Sequence, residues 1–174
     1  MASQRNRDPE AFGEITLSVL DEGRFVELRA LYAVTWRATY EARLGAETVS
    51  GMVARLCEPS VGGMVPAQGQ VFGASQNGSL VGAVAVREAG SVAYVWGLYI
   101  LPRHQRSGVG RRLMGAAIGS LRTARAVEVR VLKASPGALA FYEALGFRVI
   151  REEEAEMFEG VSERLLVMEW VRGV

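Results

Sequence analysis

The sequence has few of the residues that build covalently linked or metal-held scaffolds. Its 174 residues include one cysteine, Cys57, and one histidine, His104. A lone cysteine cannot form an internal disulfide and cannot build a metal site by itself, so neither is expected. Such sparse cysteine fits a reducing, cytoplasmic setting.

Excess charge and long apolar runs are also missing. Twenty basic and 19 acidic residues leave a net charge of +1, which gives no electrostatic reason to expect nucleic acid as a partner. No apolar run reaches the roughly 18 residues of a membrane helix. The first ten residues, MASQRNRDPE, lack the apolar segment of a signal peptide. We therefore expect neither a nucleic-acid partner nor a membrane.

The size and composition predict one globular domain. Hydrophobic residues make up 49% of the chain and charged residues 22%, close to globular averages. A chain of this length suits one domain and is too short for two typical ones. We expect a flexible polar tail over residues 1–12 and a single domain over residues 13–174.

The spacing of apolar residues predicts a mixed α/β domain in the order β-α-α-β-β-β-α-β-α-β-β. Asn77-Gly78 predicts a tight hairpin turn, because both residues tolerate positive φ. Ser135 is placed as a helix N-cap and Gly146 as a helix stop. Strands are predicted over 14–20, 71–76, 79–88, 91–101, 126–132, 147–158 and 162–171, and helices over 22–38, 47–56, 109–121 and 135–146.

The stretch QRSGVGRRL, residues 105–113, carries the strongest chemical signal. It follows an apolar strand and opens a helix, so its first amide N–H groups have no carbonyl partners and carry partial positive charge. Gly108 and Gly110 let the backbone approach an anion closely, and nearby arginines add charge. The stretch predicts a phosphate cradle. It matches neither a Walker A loop nor the G-x-G-x-x-G dinucleotide motif.

Two segments together resemble the GNAT superfamily of acetyl-coenzyme A-dependent N-acetyltransferases. They are LYILPRHQRSGVGRRLM (98–114) and SPGALAFYEALGF (135–147), with a strand between them. The segment TWRATYEARL (35–44) is similar to a helix found in bacterial members. The resemblance covers roughly residues 14–171 and implies a GNAT-like fold with a splayed central sheet.

The resemblance also implies which groups bind acetyl-CoA. Backbone N–H groups of the cradle would hold the pyrophosphate: Arg106, Ser107, Gly108, Val109, Gly110 and Arg111. Backbone groups of Leu98, Tyr99 and Ile100 would pair with the pantetheine arm like an added strand, beside a bulge expected at Trp96-Gly97. Ser135 stands where the family often has asparagine, and its contact with the cofactor is left open against a purely capping role.

The reaction implied by the resemblance needs an acid, a base and an acceptor pocket. Tyr142 matches the family tyrosine that protonates the leaving thiolate. Glu41 and Glu88 are the candidate bases, against the alternative of solvated surface carboxylates. Trp36, Tyr40, Tyr94 and Trp96 are candidate walls of the acceptor pocket, with simple core packing as the alternative for Trp36 and Tyr40. His104 is expected on the surface, and Glu152, Glu153 and Glu154 at a solvated edge or, alternatively, drawing in a cationic acceptor.

These features predict direct transfer of an acetyl group from acetyl-CoA to a primary amine in a ternary complex, with no metal. The alternative is a non-catalytic module that binds and senses acyl-CoA. The resemblance further implies a homodimer through the C-terminal hairpin. The apolar segment LLVMEWV (165–171) would suit such pairing and equally suits an internal strand.

Overall fold

A computed structural model describes residues 13–158 and 160–173 of the protein. The tail predicted over 1–12 lies outside these residues. Seven strands and five helices follow one another in the predicted order, with one extra short helix before β2. They are β1 (Ile15–Val19), α1 (Phe25–Leu44), α2 (Ala46–Arg55), α3 (Pro59–Gly62), β2 (Gln70–Gln76), β3 (Ser79–Ala89), β4 (Val92–Ile100), α4 (Val109–Ser120), β5 (Ala126–Leu132), α5 (Pro136–Ala144), β6 (Arg148–Phe158) and β7 (Val161–Val171).

The strands form one sheet in the order β1-β2-β3-β4-β5-β7-β6. All neighbours are antiparallel except β4 and β5, which run parallel. The final strand β7 lies between β5 and β6, so residues 165–171 pair with β5 and residues 165–169 also pair with β6. Of the two interpretations of LLVMEWV, the structure shows the internal strand.

Helices cover the sheet on both faces. On one face, α1 and α2 pack against alternate residues of β2 and β3, in a core that includes Leu28, Tyr32 and Ala83. On the other face, α4 and α5 pack against the remaining set, with Val84, Leu113 and Phe147. Because strand side chains alternate between faces, each strand residue can be assigned to the α1 face or to the α4 face.

Local turn chemistry explains several element boundaries. Asn77 and Gly78 have φ of 50° and 79°, as the hairpin turn predicted there requires. Gly146, with φ of 90°, stands just beyond the end of α5. Ser135 occupies the N-cap position of α5, but its side chain makes no capping hydrogen bond. Within the described residues, no helix combines the length and apolarity needed to cross a bilayer.

Candidate active site

Strands β4 and β5 separate halfway along their length. They pair from Val92 beside Ala126 to Val95 beside Val129, and the pairing ends there. Against β3, Ala85 faces Gly97 and Val86 faces Val95, so Trp96 is an extra, unpaired residue. This is the bulge expected at Trp96-Gly97, and a bulge bends and twists its strand away from its neighbour. The second half of β4 is thereby left beside an open gap.

The backbone of β4 presents hydrogen-bonding groups to this gap. The Leu101 N–H donates to the Val81 carbonyl on β3 at 2.9 Å. Because successive residues alternate, Leu98 and Ile100 direct their backbone groups away from β3 and toward the gap. The same alternation turns the backbone of Tyr99 toward β3, so the expectation that Tyr99 contributes backbone groups to the cofactor needs correction. The Ile100 carbonyl already accepts from the Gln105 side chain at 3.1 Å.

Helix α4 begins at the far end of the gap. Its N-cap is Gly108, with φ of 86°, and a Cβ built there meets nothing within 4 Å. The first amide bonded back to this turn is that of Arg112, which donates to the Gly108 carbonyl at 3.1 Å. The amides of Val109, Gly110 and Arg111 come before it and have no intrahelical acceptor. Together with the open space over Gly108, they have the geometry that an anion cradle requires, at the place the sequence predicts for one.

The arginines around the cradle differ in their surroundings. Arg106 lies in the loop with φ of 60° and is exposed, as is Arg111. The Arg112 guanidinium instead donates to the Ile15 carbonyl on β1 at 2.9 Å. Arg106 and Arg111 are therefore the two side chains best placed to add charge-assisted bonds to a phosphate.

His104 is buried, which contradicts the expectation of a surface residue. It is 5% exposed, and its Nε2 lies 2.8 Å from Oε1 of Gln76 at the end of β2. Burial, with a smaller effect of Arg103, lowers the pKa of His104. The Ser107 hydroxyl donates to the His104 carbonyl. His104 thus ties the loop beneath the cradle to the sheet, a link that a lone histidine in a polar segment does not reveal.

Helix α5 lines the α4 face of the gap. A Cβ built on Gly110 would lie 2.9 Å from Ile100 and 3.2 Å from the Phe141 ring, so β4, α4 and α5 meet closely there. The next residue, Tyr142, is 6% exposed and packs edge-on against Phe141 and Phe147. Burial raises the pKa of Tyr142 above its usual value, so its hydroxyl keeps its proton at neutral pH.

Aromatic side chains cluster on the α1 face beside the bulge. Tyr32 stacks on Trp36 at 6.1 Å between centroids, and Tyr99 meets the Tyr32 ring edge-on at 5.0 Å. A side-chain hydrogen bond joins Tyr99 to Tyr40, while burial raises the pKa of both hydroxyls. Trp36 is 3% exposed and supports this cluster from beneath.

Two aromatic residues of β4 are open to solvent on the same face. Tyr94 is 37% exposed and Trp96 is 44% exposed, and the Trp96 indole donates to the Gly63 carbonyl at 3.0 Å. Of the four residues predicted for the acceptor pocket, Tyr94 and Trp96 are the ones that present surface beside the gap.

Neither of the two predicted general bases, Glu41 and Glu88, has an unpaired carboxylate beside the gap between β4 and β5. Glu41 lies on α1 and pairs with Arg37 at 3.0 Å. Glu88 lies on the opposite, α4 face of the sheet, where its carboxylate accepts the backbone N–H groups of the loop after α4, at 3.0 Å from Arg122 and 2.6 Å from Thr123. Hydrogen bonds from backbone N–H groups lower the pKa of Glu88 to about 2. The bond from Ala124 has the largest effect, and those from Thr123 and Arg122 add to it. These hydrogen bonds show that Glu88 anchors the loop after α4, and they disfavour a role for its carboxylate as a general base.

Charged side chains cover the sheet beyond the gap. On the α1 face, Arg151 pairs with Glu128 at 3.2 Å and with Glu153 at 3.5 Å. On the α4 face, Lys133 pairs with Glu152 at 2.9 Å. A cleft of about 400 Å³ with both signs of charge lies past the end of β5, lined by Arg43, Lys133, Ala134, Glu154, Ser162, Glu163 and Arg164. Glu152 and Glu153 are thus paired at a solvated edge.

The arrangement suits one type of ligand. An extended arm can lie in the gap and bond to the edge of β4, and a phosphate at its end can reach the α4 cradle. A reactive group at the other end would then lie near the bulge, between Tyr142 on one face and the exposed aromatics on the other. No group of three His, Cys, Asp or Glu side chains in the described part of the chain could hold a metal ion.

Solved structures of similar fold belong to acetyltransferases. The PaiA N-acetyltransferase from Thermoplasma acidophilum, in complex with coenzyme A, matches with a TM-score of 0.73 and 18% identity, over 91% of this chain and 99% of that one. The ribosomal-protein-S18-alanine N-acetyltransferase from Escherichia coli matches with a TM-score of 0.69 and 17% identity, over 92% and 96%. Arabidopsis thaliana NAA60 with a bisubstrate analogue matches with a TM-score of 0.66 and 14% identity, over 91% and 98%. At these identities the likeness concerns the fold.

The sequence itself identifies the family. No curated protein matches the chain. A family model described as the acetyltransferase (GNAT) domain matches residues 43–168, well over half of the chain, and this range contains the split strands, the cradle and Tyr142. The protein therefore belongs to the GNAT acetyltransferase family.

Proposed function

We propose that this protein transfers an acetyl group from acetyl-CoA to a primary amine, of a small molecule or of a protein, in a ternary complex. The observation that carries the proposal is the continuity of the gap between β4 and β5 with the cradle at the start of α4. The proposal is supported by solved structures of the same fold that contain coenzyme A or acetyl-CoA.

The backbone does most of the cofactor binding in this proposal. Leu98 and Ile100 offer the pantetheine arm the hydrogen bonds that a neighbouring strand would make. The amides from Arg106 to Arg111 receive the pyrophosphate, and the missing Cβ of Gly108 leaves room for it. Ser135 has no capping bond to its own helix, so its hydroxyl remains a candidate contact for the arm.

The chemistry follows from what lies on the two faces of the gap. The amine nitrogen attacks the thioester carbonyl, and the Leu98 N–H, which points into the gap beside the bulge, stabilises the negative charge that develops on the carbonyl oxygen. The carbon–sulfur bond then breaks, and the Tyr142 hydroxyl gives the departing thiolate its proton. The ammonium group of the acceptor has to lose a proton before attack, since amines of this kind have a pKa near ~10. Cys57 lies between α2 and α3, outside the segments that build the gap, which favours direct transfer.

The acceptor approaches from the α1 face. That face has the exposed rings of Tyr94 and Trp96, whereas α4 and α5 lie against the other face beside the gap. An amine acceptor agrees with the names of two structural neighbours, both N-acetyltransferases.

The test is thiol release from acetyl-CoA against a panel of amines: amino acids, peptide N-termini, lysine side chains, polyamines and aminoglycosides. We expect one class to give turnover, and Tyr142→Phe to lower kcat by about 100-fold, the low end for a lost general acid. Acetyl-CoA binding, measured by calorimetry, should stay unchanged in this variant. Tight binding without release by any amine would favour the sensing module, and absence of binding would refute the proposal.

A further inference from the structure

The row next to the last pair before the gap contains a carboxylate on the acceptor side. Tyr94 on β4 pairs with Glu128 on β5, and Val95 with Val129 is the final pair before the strands part. Val127, Val129 and Val131 belong to the core under α4 and α5. Because strand side chains alternate, Glu128 lies on the α1 face, beside the exposed ring of Tyr94.

Only one of the two carboxylate oxygens of Glu128 makes a hydrogen bond within the described residues. Its side chain is 16% exposed, and Arg151 Nη2 on β6 donates to its Oε2 at 3.2 Å. Among the described residues, no hydrogen bond involves its Oε1. One oxygen is therefore fixed by an arginine while the other is open to a donor that enters from the acceptor side.

Other charged and titratable groups share this face and define the surroundings of Glu128. Glu169 on β7 is its register partner, and Arg148 on β6 is the partner of Glu169. Arg87 on β3 is the partner of Tyr94. Arg130 on β5 pairs with Glu153 on β6. By register Glu128 is thus the carboxylate nearest to both the bulge and the exposed rings of Tyr94 and Trp96.

We propose that Glu128 is a catalytic residue that binds the ammonium group of the acceptor through Oε1 and takes its proton. This assignment rests on the proposed function. One N–H bond of the ammonium breaks and its proton passes to the carboxylate. The freed lone pair then forms the new carbon–nitrogen bond. As the carbon–sulfur bond breaks, the sulfur takes a proton from Tyr142, and the nitrogen releases its second proton, which returns to Tyr142 through solvent. Tyr94 and Trp96 offer aromatic faces to the cation beside it.

The site explains why two glutamates already considered are less suitable. Glu41 is paired on the outer surface of α1, and Glu88 anchors a loop on the opposite face of the sheet. Glu128 alone of these three projects from one of the two strands that separate, on the face where the acceptor enters.

The experiment compares Glu128→Gln with Glu153→Gln. Glu153 is a matched control because it also pairs with Arg151 on the same face, but from β6 at the sheet edge. Using the amine that gives turnover, kcat and KM are measured from pH 5.5 to 9.5 by thiol release, and acetyl-CoA affinity by calorimetry. Glu128→Gln should lower kcat/KM for the amine by about 100-fold or more near neutral pH, and this loss should shrink as the pH rises toward the pKa of the amine, about 10.4, because the amine then loses its proton to solvent. Its acetyl-CoA affinity should match wild type, and Glu153→Gln should stay within about threefold with a wild-type pH profile.

A second variant covers the case in which Glu128→Gln does not fold. Glu128→Asp keeps the charge but shortens the side chain by one methylene, so kcat should fall below that of wild type while the pH profile keeps its wild-type shape. Equal losses in Glu128→Gln and Glu153→Gln, or wild-type kinetics in Glu128→Gln or Glu128→Asp, would overturn the assignment while the proposed function stands. A wild-type protein that releases no thiol with any amine would overturn both.

Discussion

The two halves of β4 have similar apolar sequences but opposite surroundings. Val92–Val95 is paired on both sides, with β3 and with β5, as a central strand should be. Beyond it, residues 97–100 pair with β3 and have no partner in β5. The difference comes from one extra residue, Trp96, which bends the second half away. A strand can thus be structural in one half and a ligand-binding edge in the other, without any change in composition.

Deleting Trp96 is the most direct way to remove the bulge that separates the second half of β4 from β5. Without the extra residue, side chains 95, 97 and 98 would alternate regularly, and the second half of β4 could pair with β5. We expect coenzyme A binding to weaken on the order of 100-fold, because two or three hydrogen bonds worth ~1 kcal/mol each would be lost to β5. Calorimetry measures the affinity, and circular dichroism the fold.

The control for this deletion is Trp96→Ala, which keeps the residue count and therefore the bulge. It should bind coenzyme A within a few-fold of wild type. A folded deletion variant with wild-type affinity would show that the gap does not depend on the bulge.

The next substitution lies in the loop between β4 and α4. His104→Ala removes the contact with Gln76 and leaves a cavity beneath the cradle, so the loop loses its attachment to the sheet. We expect acetyl-CoA affinity to fall about 10-fold, the equivalent of one lost buried hydrogen bond. The neighbouring exposed residue offers a control, since Arg103→Ala should change affinity less than about threefold. Equal affinity in both variants would contradict a positioning role for His104.

Packing between the open half and α4 can be probed at two glycines of one helix. Gly115→Ala meets no atom within 4 Å and should stabilise the protein by up to ~1 kcal/mol, the helix-propensity gain of alanine. Gly110→Ala should cancel that gain or destabilise, because its Cβ would lie 2.9 Å from Ile100. Urea denaturation of both variants measures the difference. Equal stabilisation would mean that β4 and α4 are not in tight contact at the gap.

The smallest expected effect on function is that of a substitution at Glu88, which pairs with Ala93 in the first half of β4. Glu88→Gln should leave acetyl-CoA affinity and kcat unchanged and lower Tm at neutral pH. The folded protein holds the pKa of Glu88 at about 2, below the usual 4.5, so its stabilisation is present above pH 4.5 and is lost as the pH falls toward 2. The Tm difference from wild type should shrink over that range in thermal melts. A loss of turnover without a change in stability would restore Glu88 as a base.

The sequence predicted the parts of this site that depend on local order. The element order, the hairpin at Asn77-Gly78 and the bulge at Trp96-Gly97 are confirmed by the structure, and α4 begins after Gly108 as expected. Each depends on residues close together in the chain, where alternation, turn chemistry and glycine spacing act directly.

What the sequence did not predict depends on which strands become neighbours. Nothing near His104 shows that Gln76, 28 positions earlier, covers it. The face on which Glu88 lies follows from the register of β3, and the direction of the Tyr99 backbone from its pairing with β3. Glu128 had a usable signal, since the alternation in AVEVRVL separates it from the buried valines. Its position beside Tyr94 required the parallel register.

The insertion of β7 between β5 and β6 has a consequence for how the chain folds during synthesis. Until residues 161–171 leave the ribosome, β5 has only the four pairs with β4 and one uncovered edge, and β6 has no strand beside it. Exposed edges of this kind promote association with other chains. The nascent domain therefore cannot complete its sheet until residues 161–171 are made, and truncations before Val161 should be substrates for chaperones and proteases.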